Sequence, residues 1–481
     1  MRQADHEAWM PARLIPIVGI RSQEEQEMRA ASSLLAVMSA VREFGRGLVR
    51  ELGAPAGRIQ TFTEIPLKNS NGQVLRPDGA ILVERGTTSW RCLVEVKTGN
   101  VPLKVEQVAS YLDLAREHGF DAVLTISNQI TASPTDAVVE VDGRKLRKVA
   151  LLHLSWWRIL TEAVMQYQHH GIDDPDQAWI LGELVAYLAH DQSGAVGFED
   201  MGKNWVQVRN AARDGTLRAS DPGVQDVVDR WEQLVEYLCL GLSQDLGVQV
   251  LSAQSRAKDG QRWRQALIDA LLSTGSLTGS FRVPDTVGPI AVEANLREQQ
   301  TRTSVRVEAP KEGRPVTRVN WLLRQLSDAP EDLRIEVHFA RSKETTAQLL
   351  REARDDSKRL LLPADPKREP RTFTLCLGRA MGTKRGKGER SFVLETRRQA
   401  VNFYSTLVEN LKPWQAKAPK YPKDESSDSA PVDPRVDIAT SDPPLVPSQP
   451  QDSGSDRTQG SVDPETAWPP GSSIPGRDSA T

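Results

Sequence analysis

The spacing of apolar residues predicts a long helix near the start of the chain, followed by three strands. Residues 22–52 open with Ser22 and Glu25, which have the spacing of a capping box, and apolar side chains then recur at helical intervals. We expect one amphipathic helix with a single buried face over this range. The extended segments that follow are 58–66, 79–85 and 90–97. A turn-rich gap between the last two predicts a hairpin.

Helical and extended patterns alternate in the next part of the chain. Residues 103–118 return to helical spacing, whereas 122–126 and 149–154 are apolar for most of their length, as strands buried on both faces are. Residues 156–167 predict another helix. The order α-β-β-β-α-β predicts an α/β fold for the N-terminal part of the chain.

Beyond residue 170 the pattern separates a helical stretch from a second mixed region. Residues 176–190 and 221–246 have helical periodicity, and from about residue 275 alternating strands are interspersed with helices. The four parts that we predict are an α/β domain over 1–170, a mainly helical connector over 171–250, an α+β domain of unknown role over 251–415 and a tail over 416–481.

The tail differs from the rest of the chain in composition and charge. Residues 416–481 hold twelve of the thirty prolines and too few apolar residues to offset the entropy lost on ordering, so we expect this segment to be disordered. The chain has a net charge of −3, but residues 424–481 carry −8, which leaves +5 on residues 1–423. A mildly basic body is compatible with a polyanionic partner.

Cysteine usage and hydropathy indicate the compartment. Cys92, Cys239 and Cys376 are more than a hundred residues apart and show neither a disulfide framework nor the spacing of a zinc site. No run of about 18 apolar residues predicts a membrane span, and the first residues do not resemble a secretory signal. We expect a cytoplasmic protein without a membrane partner.

Charged side chains emerge at the end of an otherwise apolar strand. Glu95 and Lys97 are two residues apart and share one face of the strand, while Val94 and Val96 point to the other face. Asp78, in the sequence Pro-Asp-Gly, is brought to the same place by the preceding hairpin strand. Alone, a Glu-x-Lys pair is usually a solvated face and Pro-Asp-Gly a common turn. Their combination in apolar surroundings favours a site.

Two carboxylates beside a lysine predict a magnesium site. Mg²⁺ binds through one or two carboxylates and keeps water and substrate phosphate as its other ligands. A divalent ion makes water easier to deprotonate, and a neighbouring ammonium group neutralises charge that builds up on a phosphate. We therefore expect phosphodiester hydrolysis, with Asp78 and Glu95 as ligands of Mg²⁺, or of Mn²⁺ as a substitute.

Two polar side chains of the following helix extend the predicted site. Gln107 and Tyr111 are four residues apart and therefore lie on one face of that helix. Gln107 can order a water molecule or contact a nucleic-acid backbone. Tyr111 in such a position is more often a packing residue with a polar tip.

Together these motifs resemble the PD-(D/E)XK nuclease superfamily, which has the restriction-endonuclease-like fold. The residues that carry the resemblance are Asp78, Glu95-Val96-Lys97 and Gln107-x-x-x-Tyr111. The Gln-x-x-x-Tyr feature is similar to the branch with RecB-type and Mrr-type nucleases. The resemblance covers about residues 20–165 and implies a restriction-endonuclease-like domain there, with Lys97 activating water and stabilising charge and Gln107 as a polar contact.

Many members of this superfamily also place a glutamate of the first helix near the metal. The candidates in this sequence are Glu24, Glu25 and Glu27, which the sequence alone does not rank. We expect Glu25 and Tyr111 to be accessory residues of the site.

The predicted function is Mg²⁺-dependent hydrolysis of nucleic acid, with DNA as the expected substrate. The alternative is a nuclease-like domain that only binds, in an inactive interaction protein or a stress-response regulator. The C-terminal domain is a candidate surface for a second copy of the chain or a protein partner. Because Lys97 is a buried charge that serves function, Lys97→Met is predicted to leave folding nearly unchanged or to improve it.

Overall fold

The computed structural model describes residues 13–17, 19–136, 138–195, 197–253, 260–362 and 368–416. Across these residues the fold is mixed α/β, as the sequence predicts, with eleven α-helices and three β-sheets. None of the described helices is long and apolar enough to cross a membrane. Apart from Ala416, the predicted acidic tail lies outside the described residues.

The first part of the chain is built around a five-stranded sheet. Its elements are α1 (Gln23–Ala40), α2 (Arg42–Glu51), β1 (Arg58–Thr63), β2 (Leu67–Lys68), β3 (Val74–Leu75), β4 (Gly79–Arg85), β5 (Thr88–Val96), α3 (Val105–Glu117), β6 (Ala122–Ser127), β7 (Ala150–Ser155) and α4 (Trp156–Val164). The strand order is β1-β4-β5-β6-β7, in which β1, β4 and β5 are antiparallel and β5, β6 and β7 are parallel. β2 and β3 form a separate two-stranded ribbon.

The segment predicted as one helix over 22–52 is two helices. Ser22 caps α1 by accepting a hydrogen bond from the Glu25 N–H at 3.1 Å. Val41 has an extended backbone and is buried, so it ends α1 directly before α2. Gly45 then approaches α1 so closely that a Cβ atom would lie 2.2 Å from the Met38 carbonyl oxygen. The missing side chain at Gly45 therefore permits the tight junction between the two helices.

The two faces of the five-stranded sheet pack against different helices. Val94 and Val96 of β5 belong to the core beneath α1, α2 and α4. Ala80 of β4 and Leu93 of β5 belong to the core beneath α3. Because side chains alternate along a strand, Glu95 shares the α3 face with Leu93. This alternation brings a carboxylate to the side of the sheet that α3 covers.

The second part of the chain is built around a seven-stranded antiparallel sheet. The preceding helix, α5 (Pro175–Ala189), packs on the core of the five-stranded sheet beside α1 and α4. The elements of the second part are α6 (Trp205–Arg213), α7 (Gly223–Leu246), β8 (Leu251–Ser252), α8 (Gly260–Thr274), β9 (Ser276–Arg282), β10 (Ile290–Asn295), β11 (Gln300–Glu308), α9 (Pro315–Gln325), β12 (Arg334–Phe339), β13 (Thr345–Leu349), α10 (Leu350–Asp355), β14 (Pro370–Ala380) and α11 (Phe392–Thr406). The strand order is β13-β12-β14-β11-β10-β9-β8. α7 packs against this sheet through a largely buried face.

A buried ion pair joins α4 to α7. A guanidinium nitrogen of Arg158 lies 2.8 Å from Glu236 Oε1, and both side chains are at most 11% exposed. The other Glu236 oxygen accepts a hydrogen bond from Ser252 Oγ at 3.0 Å. Arg158 also donates to the carbonyl oxygens of Thr131 and Ala132. This pair lies inside the compact unit that ends at Ala416.

Candidate active site

Asp78 is positioned by the entry of the chain into β4. Its Oδ2 accepts a hydrogen bond from the Val96 N–H at 2.7 Å, which ties the carboxylate to the end of β5. At the next position, a Cβ atom on Gly79 would lie 2.4 Å from a Leu35 methyl group and 2.7 Å from the Phe62 carbonyl oxygen. Only glycine fits between α1 and β1 at this point. The Pro-Asp-Gly sequence therefore begins a packed strand.

Glu95 is the most enclosed charged group of the candidate site. Its side chain is 2% exposed, and its Oε1 lies 2.7 Å from Lys97 Nζ. Its Oε2 is buried without a hydrogen-bond partner among the described residues. A buried carboxylate with unfilled oxygens is costly unless it binds a further cation or donor.

Lys97 connects the sheet to the first helix. Besides Glu95, its Nζ contacts Glu27 Oε2 at 3.1 Å and the Val96 carbonyl oxygen at 3.0 Å. The structure therefore brings Asp78, Glu95, Lys97 and Glu27 to one place, from three different elements. Because Glu27 and Glu95 are 68 residues apart, no local sequence pattern predicts that they meet.

The expected accessory residue Glu25 lies elsewhere. Its carboxylate contacts Arg29 at 2.8 Å and accepts a hydrogen bond from the Arg21 N–H at 3.0 Å. Two positions along an α-helix differ by about 200° around the axis, so Glu25 and Glu27 point to opposite sides of α1. Glu27, and not Glu25, is the glutamate of the first helix that faces Lys97.

Gln107 and Tyr111 lie together on α3, as predicted. The Gln107 amide nitrogen donates to the Tyr111 hydroxyl at 3.3 Å, and that hydroxyl donates to the Arg76 carbonyl oxygen at 3.3 Å. Tyr111 is only 6% exposed and belongs to the core beneath α3. It therefore packs against the sheet and orients Gln107, while Gln107 is the half-buried member of the pair.

Burial and mutual repulsion disfavour the charged forms of the two acids. Burial raises the pKa of Glu95 to about 7, and the charge of Asp78 adds to this effect while Lys97 opposes it. Burial also raises the pKa of Asp78, although the hydrogen bond from Val96 counteracts it. Burial by itself lowers the pKa of Lys97, but its contacts with Glu95 and Glu27 outweigh burial and raise that pKa. The lysine is therefore cationic at neutral pH.

The donor set of this site suits a hard divalent cation. Glu95 Oε2 is buried without a hydrogen-bond partner among the described residues, and the carboxylate of Asp78 lies close enough to raise the pKa of Glu95. Among the described residues, no three His, Cys, Asp or Glu side chains converge as a preformed metal centre. Mg²⁺ needs only one or two carboxylates, because water and substrate phosphate complete its coordination. Asp78 and Glu95 fit that requirement.

Residues outside the motif hold the chain that follows Lys97. Trp156 Nε1 donates a hydrogen bond to the Lys97 carbonyl oxygen at 2.9 Å. The Gln23 amide nitrogen donates to Thr98 Oγ1 at 2.7 Å and to the Thr98 carbonyl oxygen at 3.0 Å. Neither Gln23 nor Trp156 stands near Lys97 in the chain, so local sequence pattern does not predict this role.

Comparison with known proteins adds no assignment for this chain. No protein-family model matches it, and no curated protein is significantly similar to it. The residues of the site and their geometry are therefore the basis for a functional proposal.

Without metal, the stability of the protein is expected to fall as Glu95 ionises. The folded protein holds the Glu95 proton up to a pKa of about 7, whereas its ordinary pKa is 4.5. Folding free energy is therefore lost as pH rises from about 5 to about 8, by at most about 3 kcal/mol. Urea unfolding in EDTA at both pH values measures this loss.

The matched variants are Glu95→Gln, which should weaken the pH dependence, and Glu25→Gln, which should retain it. Addition of Mg²⁺ at pH 8 should stabilise the wild type and not Glu95→Gln, because a ligand stabilises the state that binds it. Equal pH dependence in wild type and Glu95→Gln would contradict the assignment of the elevated pKa to Glu95.

The sequence predicts that Lys97→Met leaves folding nearly unchanged or improves it. Because Lys97 pairs with Glu95 and Glu27 in the structure, we expect the opposite, a loss of stability. Removal of the ammonium group leaves Glu95 buried without its nearest cation, so the variant is expected to lose about 1–3 kcal/mol of stability at pH 8. The loss should shrink at pH 5, where Glu95 is protonated. The double variant Lys97→Met/Glu95→Gln should recover most of it, and urea unfolding of the three proteins at pH 8 tests this expectation.

Proposed function

We propose that the chain is a divalent-metal-dependent phosphodiesterase that hydrolyses nucleic acid, with DNA as its first expected substrate. The observation that supports this most is the convergence of Asp78, Glu95 and Lys97 at the junction of β4, β5 and α1. We also propose that residues 20–165 have the restriction-endonuclease-like fold. The order of helices and strands around the five-stranded sheet is compatible with that fold.

The charges of the site suit attack on a phosphodiester. In the proposed role, Asp78 and Glu95 hold Mg²⁺, which supplies positive charge that polarises the phosphate and makes water a better nucleophile. The Lys97 ammonium group, held by Glu27, faces the negative charge that grows on the phosphate in the transition state. The elevated pKa of Lys97 favours this role over that of a proton acceptor.

The proposed reaction is a displacement at phosphorus. The water oxygen forms a bond to phosphorus and releases one proton to solvent, while the ester P–O bond on the opposite side breaks and the departing oxygen takes up a proton from solvent. Gln107, oriented by Tyr111, is available to hydrogen-bond the attacking water or a phosphate oxygen. Tyr111 keeps its proton, because burial raises its pKa to about 12.

The direct test is incubation of the full chain with circular plasmid, single-stranded DNA and single-stranded RNA. Separate reactions contain Mg²⁺, Mn²⁺ or excess EDTA. We expect hydrolysis with either metal and none with EDTA. Intact substrates with every divalent ion would overturn the enzymatic proposal and favour the non-catalytic alternative, in which the domain only binds.

A further inference from the structure

A basic groove follows the free edge of the five-stranded sheet. β1 is the terminal strand of that sheet, and the groove between β1, α1 and α2 has a volume of about 670 Å³. Its charged lining residues are Arg42, Arg46 and Arg58, and no acidic residue lines it. All three arginines are exposed, and among the described residues their guanidinium groups make no ion pair or hydrogen bond. Glu84 stands opposite Arg58 on β4 but does not line the groove. The lining itself therefore carries only positive charge.

Phe62 lines the same groove at the end nearest the candidate active site. Its side chain is 46% exposed, which is unusual for a phenylalanine within a strand. Phe62 pairs with Ala80 across β4, and two residues later the Glu64 N–H donates to the Asp78 carbonyl oxygen at 3.0 Å. Phe62 is therefore two residues from Glu64, the residue of β1's extension that is hydrogen-bonded to Asp78.

Phe62 also lies on the same face of the sheet as the acidic cluster. Paired residues on antiparallel strands share a face, so Phe62 lies on the face of Ala80, which belongs to the core beneath α3. Glu95 lies on that face too. The neighbouring Thr61 points to the opposite face, where its hydroxyl donates to the Leu35 carbonyl oxygen of α1. By the same alternation Arg58 shares the face of Phe62, whereas Arg42 and Arg46 belong to α2 on the opposite face, so the groove follows the edge of β1 between the two faces.

We propose that this groove binds a single strand of nucleic acid and leads it to the candidate active site. Phosphates lie along the arginines, and an unpaired base stacks on Phe62. The inference rests on the proposed function and extends it to the form of the substrate. Positively charged grooves with exposed aromatic side chains are the usual way in which proteins hold unpaired strands.

The chemistry of the groove favours a single strand over other occupants. An extended peptide can pair with an open strand edge, but a lining with three arginines and no carboxylate favours a polyanion. In a duplex, the faces of the bases are covered by their neighbours, and Phe62 gains nothing from stacking. Arg58 and Phe62 are four positions apart on β1, roughly 13 Å along the strand, so backbone and base contacts are made by one extended segment.

The test measures binding in EDTA, where hydrolysis does not interfere. Fluorescence anisotropy with a labelled oligothymidylate of about 12 nucleotides compares the wild type with the triple variant R42Q/R46Q/R58Q. The variant should bind at least about tenfold more weakly near 100 mM salt. Its plot of log affinity against log salt should lose roughly two units of slope, since each phosphate contact with a single strand contributes about 0.7. The matched control is R282Q/R306Q/R371Q, with three exposed arginines of the seven-stranded sheet, which should bind as the wild type does.

Phe62 is tested separately from charge. Phe62→Ala should weaken binding about tenfold, because loss of one stacking contact has that order of effect. The slope against salt should not change. Phe62→Tyr should retain wild-type affinity, because it keeps an aromatic face. Equal loss in Phe62→Ala and Phe62→Tyr would contradict stacking at this position.

Other results would overturn the groove proposal. These are equal binding by the two triple variants, stronger binding of a duplex of the same length by the wild type, or no binding of oligothymidylate. Failure of the enzymatic proposal alone gives a different set of results. Oligothymidylate then binds with an affinity that depends on the arginines, but no substrate is hydrolysed with any metal. Conversely, hydrolysis that is unaffected by R42Q/R46Q/R58Q and Phe62→Ala would overturn the groove and leave the active site intact.

Discussion

Asp78→Asn is expected to lower metal-dependent hydrolysis by about a thousandfold or more, which corresponds to roughly 4 kcal/mol of lost transition-state stabilisation. The substitution removes a negative ligand charge but retains an oxygen that accepts the hydrogen bond from Val96. The fold should therefore be retained. Initial rates with Mg²⁺, together with thermal melting curves of both proteins, measure the two effects separately.

A pair of variants on one helix provides the control for Asp78→Asn. Glu27→Gln should reduce the rate, because Glu27 holds Lys97 at 3.1 Å. Glu25→Gln should leave the rate unchanged, because Glu25 contacts Arg29 and not the site. Residual activity of Asp78→Asn at the wild-type level would show that the observed hydrolysis does not come from this site.

Arg158→Met is expected to destabilise the protein by about 3–5 kcal/mol. The substitution leaves Glu236 buried without its cation, and loss of one partner of a buried ion pair has this order of cost. Burial already raises the pKa of Glu236, so its ionised form is sensitive to loss of the arginine. Urea unfolding at neutral pH measures the change.

The double variant Arg158→Met/Glu236→Leu separates the ion pair from packing. It removes both charges and should recover most of the stability that Arg158→Met loses. A double variant as unstable as the single one would indicate that other contacts of Arg158 account for the loss, namely its packing, its hydrogen bonds to carbonyl oxygens and its ion pair with Glu51 at 3.8 Å. A single variant within 1 kcal/mol of the wild type would refute the buried-charge argument.

Much of the five-stranded sheet could be predicted from local pattern. The apolar run over 122–126 is β6, which is parallel to both neighbours, and parallel strands covered on both faces read as continuous apolar segments. The predicted helix over 103–118 is α3 to within two residues at its start and one at its end. The break at Val41 was not predicted, because no glycine or proline marks it and packing of α2 against α1 imposes it.

Local sequence pattern predicts some strands of the second sheet and not others, because the strands differ in how clearly apolar and polar residues alternate. The segment over 290–296 alternates clearly and is β10. β13 contains two threonines, an alanine, a glutamine and one leucine, so its apolar alternation is weak. Its place at the edge of the sheet, paired with β12, is decided by a partner strand.

The candidate site also has one part that local sequence pattern specifies and another that tertiary packing decides. Alternation along β5 specifies that Glu95 and Lys97 emerge at one strand end, and the hairpin register brings Asp78 to them, because these relations involve neighbours in the chain or in one hairpin. Glu27 could not be selected from its neighbours Glu24 and Glu25, because that choice depends on how α1 rotates over the sheet. Packing of the whole helix sets that rotation.

The sequence by itself therefore determined the mixed α/β class, the faces of individual strands and the three residues of the proposed chemistry. Only the tertiary structure decided which glutamate holds Lys97, which tryptophan supports the chain after it, and that Arg42, Arg46 and Phe62 line one groove at a sheet edge. The physical reason is the separation along the chain over which each kind of interaction acts. Backbone periodicity orders residues a few positions apart, whereas contacts across tens of residues follow from burying apolar surface throughout the fold.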